Sequence, residues 1–206
     1  MVKLHLGAGS NVLAGWLNTD LAPDTYAEHR SQIVLLDAAK PFPLADMSVD
    51  YIFSEHQIEH ISIPDAQRML AESFRVLRPG SRVRIATPDL AAMVRLYDDP
   101  IDAAARDYVR WVLETFWPGV RSGNERCYAI NHIFTFHGHR FIYDFDTLAA
   151  TLTDAGFVDV VRRRPGESDD PVLRGVESHG RVIGEDMNRF ETLVVEARHR
   201  STDDGD

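Results

Sequence analysis

An apolar run over residues 2–6 stops at Gly7-Ala8-Gly9-Ser10, and no other feature limits the fold of this chain as much. Glycine at two alternate positions removes side chains where a backbone must bend sharply or lie close to a ligand. The run therefore reads as a strand entering a glycine turn. Four further short runs follow, over residues 16–21, 32–36, 49–53 and 82–86. All four end in acidic or hydroxyl-bearing residues: Asp20, Asp37, Ser54-Glu55-His56 and Thr87-Pro88-Asp89. Open α/β sheets bind ligands beyond the carboxyl ends of their strands, so polar residues gathered at those ends mark a binding edge.

Between the fourth and fifth strands, Ser62 and Pro64 open a helix and Gly80 follows its end. Ala66, Met69, Leu70, Phe74 and Leu77 share one face of it, as core residues do. A second helix is expected over about 146–155, with Leu148 and Leu152 as its seam and Gly156 as its stop. Strands are expected at 157–161 and 192–197, joined by a long polar loop over 166–188. From about 90 to 135 the pattern is helical and aromatic, with Tyr108, Trp111, Phe116 and Trp117. This stretch is either a helical lid over the active edge or a layer packed on the sheet. The tail, 201–206, is polar and expected to be disordered.

The length, 206 residues, suits one domain spanning about 1–200. A net charge of −10 argues against nucleic acid as a partner, since phosphate recognition needs clustered cations. The basic cluster, Arg162-Arg163-Arg164, reads as an exposed strand end. With one cysteine, Cys127, no internal disulfide can form. No signal peptide or membrane-spanning run is apparent, so cytoplasmic residence without membrane insertion is expected. The insertion's exposed face offers a surface for a homodimer.

Spacing narrows the ligand. A nicotinamide fingerprint needs a third glycine, then a helix, then an acid about 20 positions on. Position 12 is Val12, Asp20 comes early, and little room is left for a helix. Asp20 suits the two hydroxyls of a ribose, and Asp37 an adenine amine; either aspartate could instead cap a loop.

Several stretches together carry a family resemblance: Leu4-His5-Leu6-Gly7-Ala8-Gly9, Gly15-Trp16-Leu17-Asn18-Thr19-Asp20, Pro41-Phe42-Pro43-Leu44, Ser54-Glu55-His56-Gln57-Ile58-Glu59-His60, Arg75-Val76-Leu77-Arg78-Pro79-Gly80 and Leu152-Thr153-Asp154-Ala155-Gly156-Phe157. In order and spacing the chain resembles class I S-adenosylmethionine-dependent methyltransferases, within them a small bacterial group similar to methyltransferase type 11. The resemblance implies an α/β, Rossmann-like sheet of seven mostly parallel strands. Its last strand would be antiparallel, with helices on both faces and the helical insertion after the fifth strand. It implies S-adenosylmethionine as cofactor, leaving as S-adenosylhomocysteine. Gly7, Ala8, Gly9 and Ser10 would lie by its methionine part, Asp20 and Leu21 by the ribose, and Asp37 by the adenine. Ser54, Glu55 and His56 would line the site. One departure is His5, where many relatives carry an acid or amide.

The implied reaction transfers a methyl group to a small-molecule acceptor, with a hydroxyl of a sugar-like or natural-product substrate as one candidate. A protonated acceptor needs a base, and histidine titrates near neutrality. His137 is the first candidate for that role and His139 the second; His132, Tyr143 and His60 are candidate substrate contacts, with Glu177 and His179 as outside candidates. The His132, His137 and His139 set lacks a clear fourth ligand, so no metal is expected there. Two alternatives stay open: a non-catalytic module that binds the same cofactor for regulation, and another nucleotide-dependent enzyme.

Overall fold

The structure, a computed structural model, describes residues 1–120 and 125–201. Residues 121–124 of the expected insertion and all but Ser201 of the expected disordered tail lie outside the described residues.

Seven strands form one sheet: β1 (Lys3–Leu6), β2 (Leu17–Asp20), β3 (Ile33–Leu35), β4 (Val49–Glu55), β5 (Leu77–Pro88), β6 (Phe157–Arg163) and β7 (Thr192–His199). Their order is β3-β2-β1-β4-β5-β7-β6. Neighbours are parallel except at β7, which runs antiparallel to both β5 and β6. The chain steps outward from β1 to β3 and returns to lay β4 on the other side of β1. That reversal opens a crevice beyond the carboxyl ends of β1 and β4.

The link between β1 and β2 contains no helix, as the short spacing required. Asn18 organises it instead. Its Oδ1 accepts from the Leu13 amide at 2.9 Å, and its Nδ2 donates to the Leu13 carbonyl at 3.1 Å. His5 packs beside it, with Nδ1 3.2 Å from Asn18 Oδ1 and the ring 4.8 Å from Phe53. Burial lowers the His5 imidazole to about 4. The residue that departs from the family pattern therefore belongs to the interior.

Helix α1 (Ile63–Val76) starts where expected. Ser62 Oγ accepts from the Asp65 amide at 3.3 Å and donates to the Asp65 carboxylate at 2.6 Å. It ends at Val76, earlier than Gly80 suggested, because β5 begins at once with Leu77. Each strand sends alternate residues to opposite faces. Leu4, Leu6, Ile52, Val83, Ile85 and Val195 meet α1 and α5 (Phe145–Asp154) in the main core. The alternate residues His5, Phe53, Arg84 and Glu196 are also buried. Over them runs the segment 164–178. Tyr51 donates to Asp170 at 3.0 Å, and Arg84 donates to the Glu167 carbonyl at 2.9 Å.

The expected insertion contains α2 (Leu90–Arg95), α3 (Ala103–Phe116) and α4 (Glu125–Thr135). These helices have a core of their own, with Met93, Leu96, Tyr108, Val112 and Ile133 packed with Phe190. The expected loop over 166–188 is corrected in its last third, where α6 (His179–Ile183) and α7 (Glu185–Glu191) form. Both helices are short, and polar residues such as Asn188 and Glu191 occupy buried positions in α7, so no apolar periodicity announces them. Two residues of the arginine cluster are paired, Arg162 with Asp89 and Arg163 with Asp169 and Glu196. No helix among the described residues is long and apolar enough to cross a membrane.

Candidate active site

The glycine turn closes β1 with both glycines in the left-handed region, Gly7 at φ +65° and Gly9 at φ +52°. A Cβ on Gly7 would fall 2.4 Å from Gln57 Cγ, so the position has no room for a side chain. Asp20, at the end of β2, shapes the same turn. Its Oδ2 accepts from the Gly9 amide at 3.0 Å and its Oδ1 from the Ala22 amide at 2.9 Å. Around them lies a cleft of about 460 Å³, in the size range of small-molecule sites.

Gly7, Ala8, Gly9, Ser10, Asp20, Glu55, His56 and His60 all line this cleft. Three expected cofactor contacts do not. Leu21 is 64% exposed, Ser54 is buried within β4, and the Asp37 carboxylate caps its own turn by accepting from the Ala39 amide at 2.9 Å. The pleat of β4 explains Ser54, since adjacent residues of a strand point to opposite sides. Asn11, Tyr26, Gln57, Ser178 and Val182 line the cleft unannounced, and His179 joins them.

Glu55 is committed to protein. Its carboxylate accepts from the Ser178 and His179 amides, each at 3.0 Å, from Ser178 Oγ at 3.1 Å and from Asn11 Nδ2 at 3.2 Å. These charge-assisted bonds hold the start of α6 over the cleft. Glu55→Gln should loosen it: amide hydrogen exchange across 178–183 should quicken by about tenfold or more, with S-adenosylhomocysteine affinity weakened in parallel. Unchanged exchange there would show that Glu55 is not the clasp.

A second chamber, about 450 Å³, adjoins the first. The two share His56, His60, His179 and Val182. The rest of the chamber wall includes Trp111, Phe116, His132, Ile133, His137, His139 and Glu191. Tyr143 is absent from it; the side chain is buried in the main core against Phe141. Glu177 is absent from both cavities and pairs with Arg84.

Buried carboxylates surround the shared wall. Glu59 is fully buried, 3.1 Å from His56 Nδ1, and accepts from Thr87 Oγ1 at 3.1 Å. Burial pulls the His56 pKa down, but the hydrogen bond to Glu59 and the charges of Glu59, Glu191 and Glu55 outweigh it, and the net shift is upward. Burial likewise pushes Glu59 up, and His56 overrides it to hold the carboxyl low. Glu191 lies 3.0 Å from His179 Nε2 and accepts from Tyr108 Oη at 2.7 Å. Across the chamber, burial lowers His132 to about 4, with the neighbouring His137 adding to the shift. Burial also lowers His137 and His139. These three imidazoles are neutral near pH 7 and can accept a proton.

Residues 4–85 match the family model described as a methyltransferase domain. No curated protein matches the chain. Among solved structures, a SAM-dependent methyltransferase from Archaeoglobus fulgidus is similar at a TM-score of 0.57 and 17% identity, over 95% of this chain and 85% of that one. One from Mesorhizobium loti gives 0.57 and 16%, over 96% and 90%. A third structure, from Haloferax volcanii, is a complex of the Trm112 methyltransferase activator with a methyltransferase; it gives 0.57 and 17%, over 97% and 82%. At such identities the likeness is one of fold. Residues 4–85, which include the strands that build the cleft, thus resemble a methyltransferase domain, and the fold is shared along nearly the whole chain with SAM-dependent methyltransferases.

Proposed function

We propose that the protein methylates a hydroxyl of a small, partly apolar acceptor, such as a sugar-like molecule or a natural-product scaffold. The observation that carries this reading is the shared wall: a cleft with a glycine cradle and a carboxylate opens beside a chamber lined by aromatics and neutral imidazoles. The cleft suits the cofactor because Gly7 admits only backbone and the Asp20 carboxylate faces the cavity. The Gly7–Ser10 turn would hold the methionine part and Asp20 the ribose hydroxyls. Bound S-adenosylmethionine supplies an electrophilic methyl group on a sulfonium, so the protein's task is alignment and exclusion of water.

Trp111 and Phe116 shelter the acceptor's apolar part, and helices α3 and α4 act as the lid. His137 takes the hydroxyl proton, with His139 beside it, while His132 and His60 orient the acceptor. His137→Ala should then lower kcat by about 100-fold or more with cofactor affinity little changed, as expected for loss of a general base. Full activity in that variant removes His137 from the role.

Calorimetric titration with S-adenosylhomocysteine and, in parallel, NADH tests the whole reading. Binding of the first alone supports it, and a panel of hydroxylated acceptors can then be assayed for methyl incorporation. Binding of NADH alone overturns it. Cofactor binding with no turnover on any acceptor class favours the regulatory module instead.

A further inference from the structure

We propose that His56, His179 and Glu191 form a site for one divalent transition-metal cation, zinc or manganese, on the wall between the cleft and the chamber. The site would serve the acceptor chemistry proposed above and rests on that reading only for its role, not for its existence.

One donor atom from each of the three residues lies within 4.8 Å of the other two. A cation about 2.1 Å from each donor would draw them together by small side-chain rotations. Two imidazoles and one carboxylate make a familiar donor set for catalytic divalent metals, one that leaves coordination positions open. Nitrogen donors favour transition metals over magnesium, which prefers oxygen.

The surroundings match what metal ligands require. His56 Nδ1 is engaged by Glu59 at 3.1 Å, while its Nε2 is buried with no partner. A carboxylate on one ring nitrogen is what fixes a ligating histidine's tautomer and leaves the other lone pair free. Glu191 is oriented by the Tyr108 hydroxyl at 2.7 Å, and the His179 backbone is held by Glu55 at 3.0 Å. The neighbouring set Glu59, His60 and His139 is the weaker candidate, because both Glu59 oxygens are already taken, by His56 and Thr87.

Charge points the same way. Among the described residues, Glu55, Glu59 and Glu191 crowd this wall, and no lysine or arginine lines either cavity. Place completes the case: His56 and His179 border both cavities, and Glu191 borders the chamber. A cation here would bind the acceptor's hydroxyl oxygen in an open position and lower its pKa. The proton released would pass to the neutral imidazole of His137 on the same chamber wall.

The test uses full-length protein freed of metal with a chelator. Cobalt(II) is titrated and followed by visible absorption, and zinc(II) by calorimetry. One equivalent per chain is expected. Affinity should fall about 100-fold or more in His179→Ala and in Glu191→Gln, and should persist in His139→Ala. His179 is partly exposed, so its variant should fold even if the Glu191 variant does not. Absence of binding, binding unchanged in His179→Ala, or binding lost in His139→Ala overturns the site. S-adenosylhomocysteine titrated into the metal-free protein separates the two readings: cofactor binding without metal binding removes the metal site and leaves the methyltransferase reading standing.

Discussion

Arg84→Met is expected to destabilise the protein by about 3–5 kcal/mol, the usual cost of removing one partner from a buried ion pair. Arg84 is fully buried on β5 and paired with Glu177 and Glu196, both nearly buried themselves. The substitution leaves Glu177 without its cation, and Glu196 with Arg163 alone, in a medium that solvates charge poorly. It also removes the donor to the Glu167 carbonyl, so the segment 164–178 loses one of its ties to the sheet. Burial already pushes the Glu177 carboxyl up despite Arg84. Without the guanidinium it should rise further and bind a proton in the folded state at pH values where the unfolded chain does not. A raised folded-state pKa favours the folded state on the acid side and loses that benefit as pH rises through it. The variant's deficit should therefore be smaller near pH 5 than near pH 8. Urea denaturation at both values reads this directly. Replacing Arg84, Glu177 and Glu196 together by apolar residues should recover much of the loss, since the unpaired charge goes with them. A loss below about 1 kcal/mol in Arg84→Met would show that the pair is not a structural anchor. Because the segment leads into Ser178 and His179, the same variant should also bind S-adenosylhomocysteine more weakly.

Asp20→Ala should weaken S-adenosylhomocysteine binding by about 100-fold, close to 2.7 kcal/mol, a single charge-assisted contact being worth about 1.5–3 kcal/mol. The carboxylate accepts two backbone amides in the structure and still borders the cleft, so it has lone pairs for a ribose as well. Asp20→Asn separates the two tasks. Its single oxygen can keep the Gly9 amide in place and so preserve the turn, while the negative charge that favours the hydroxyls is gone. The asparagine variant should fall between the wild type and the alanine variant in affinity and melt close to the wild type. Equal affinity in all three proteins would exclude Asp20 from the cofactor site and leave it as a cap of the glycine turn.

Local chemistry made much of this protein legible before any fold was seen. Gly7 and Gly9 mark a turn, the structure gives both a positive φ, and at Gly7 a side chain would also be blocked by Gln57. Ser62 caps α1, and the shortness of the link from Gly9 to Leu17 leaves no helix between β1 and β2. The seven strands sit where the apolar runs are, with β4, β5, β6 and β7 extending farther, because strand ends are set by their neighbours' hydrogen bonds.

What the sequence by itself determined, then, is the sheet and the first half of the cleft: glycine freedom, capping and apolar periodicity act over a few residues and can be read along the chain. Only the tertiary structure decided the wall between the cavities. Glu55 meets Ser178 across 123 positions, and His56 meets His179 and Glu191 from the far end of the chain. Arg84 meets Glu177 across 93 positions. Tyr143, which looked like a ligand by type, was likewise drawn into the main core and away from the cavity linings. Which polar side chain faces a cavity depends on how remote segments cover the sheet, and no local pattern of residues encodes that covering.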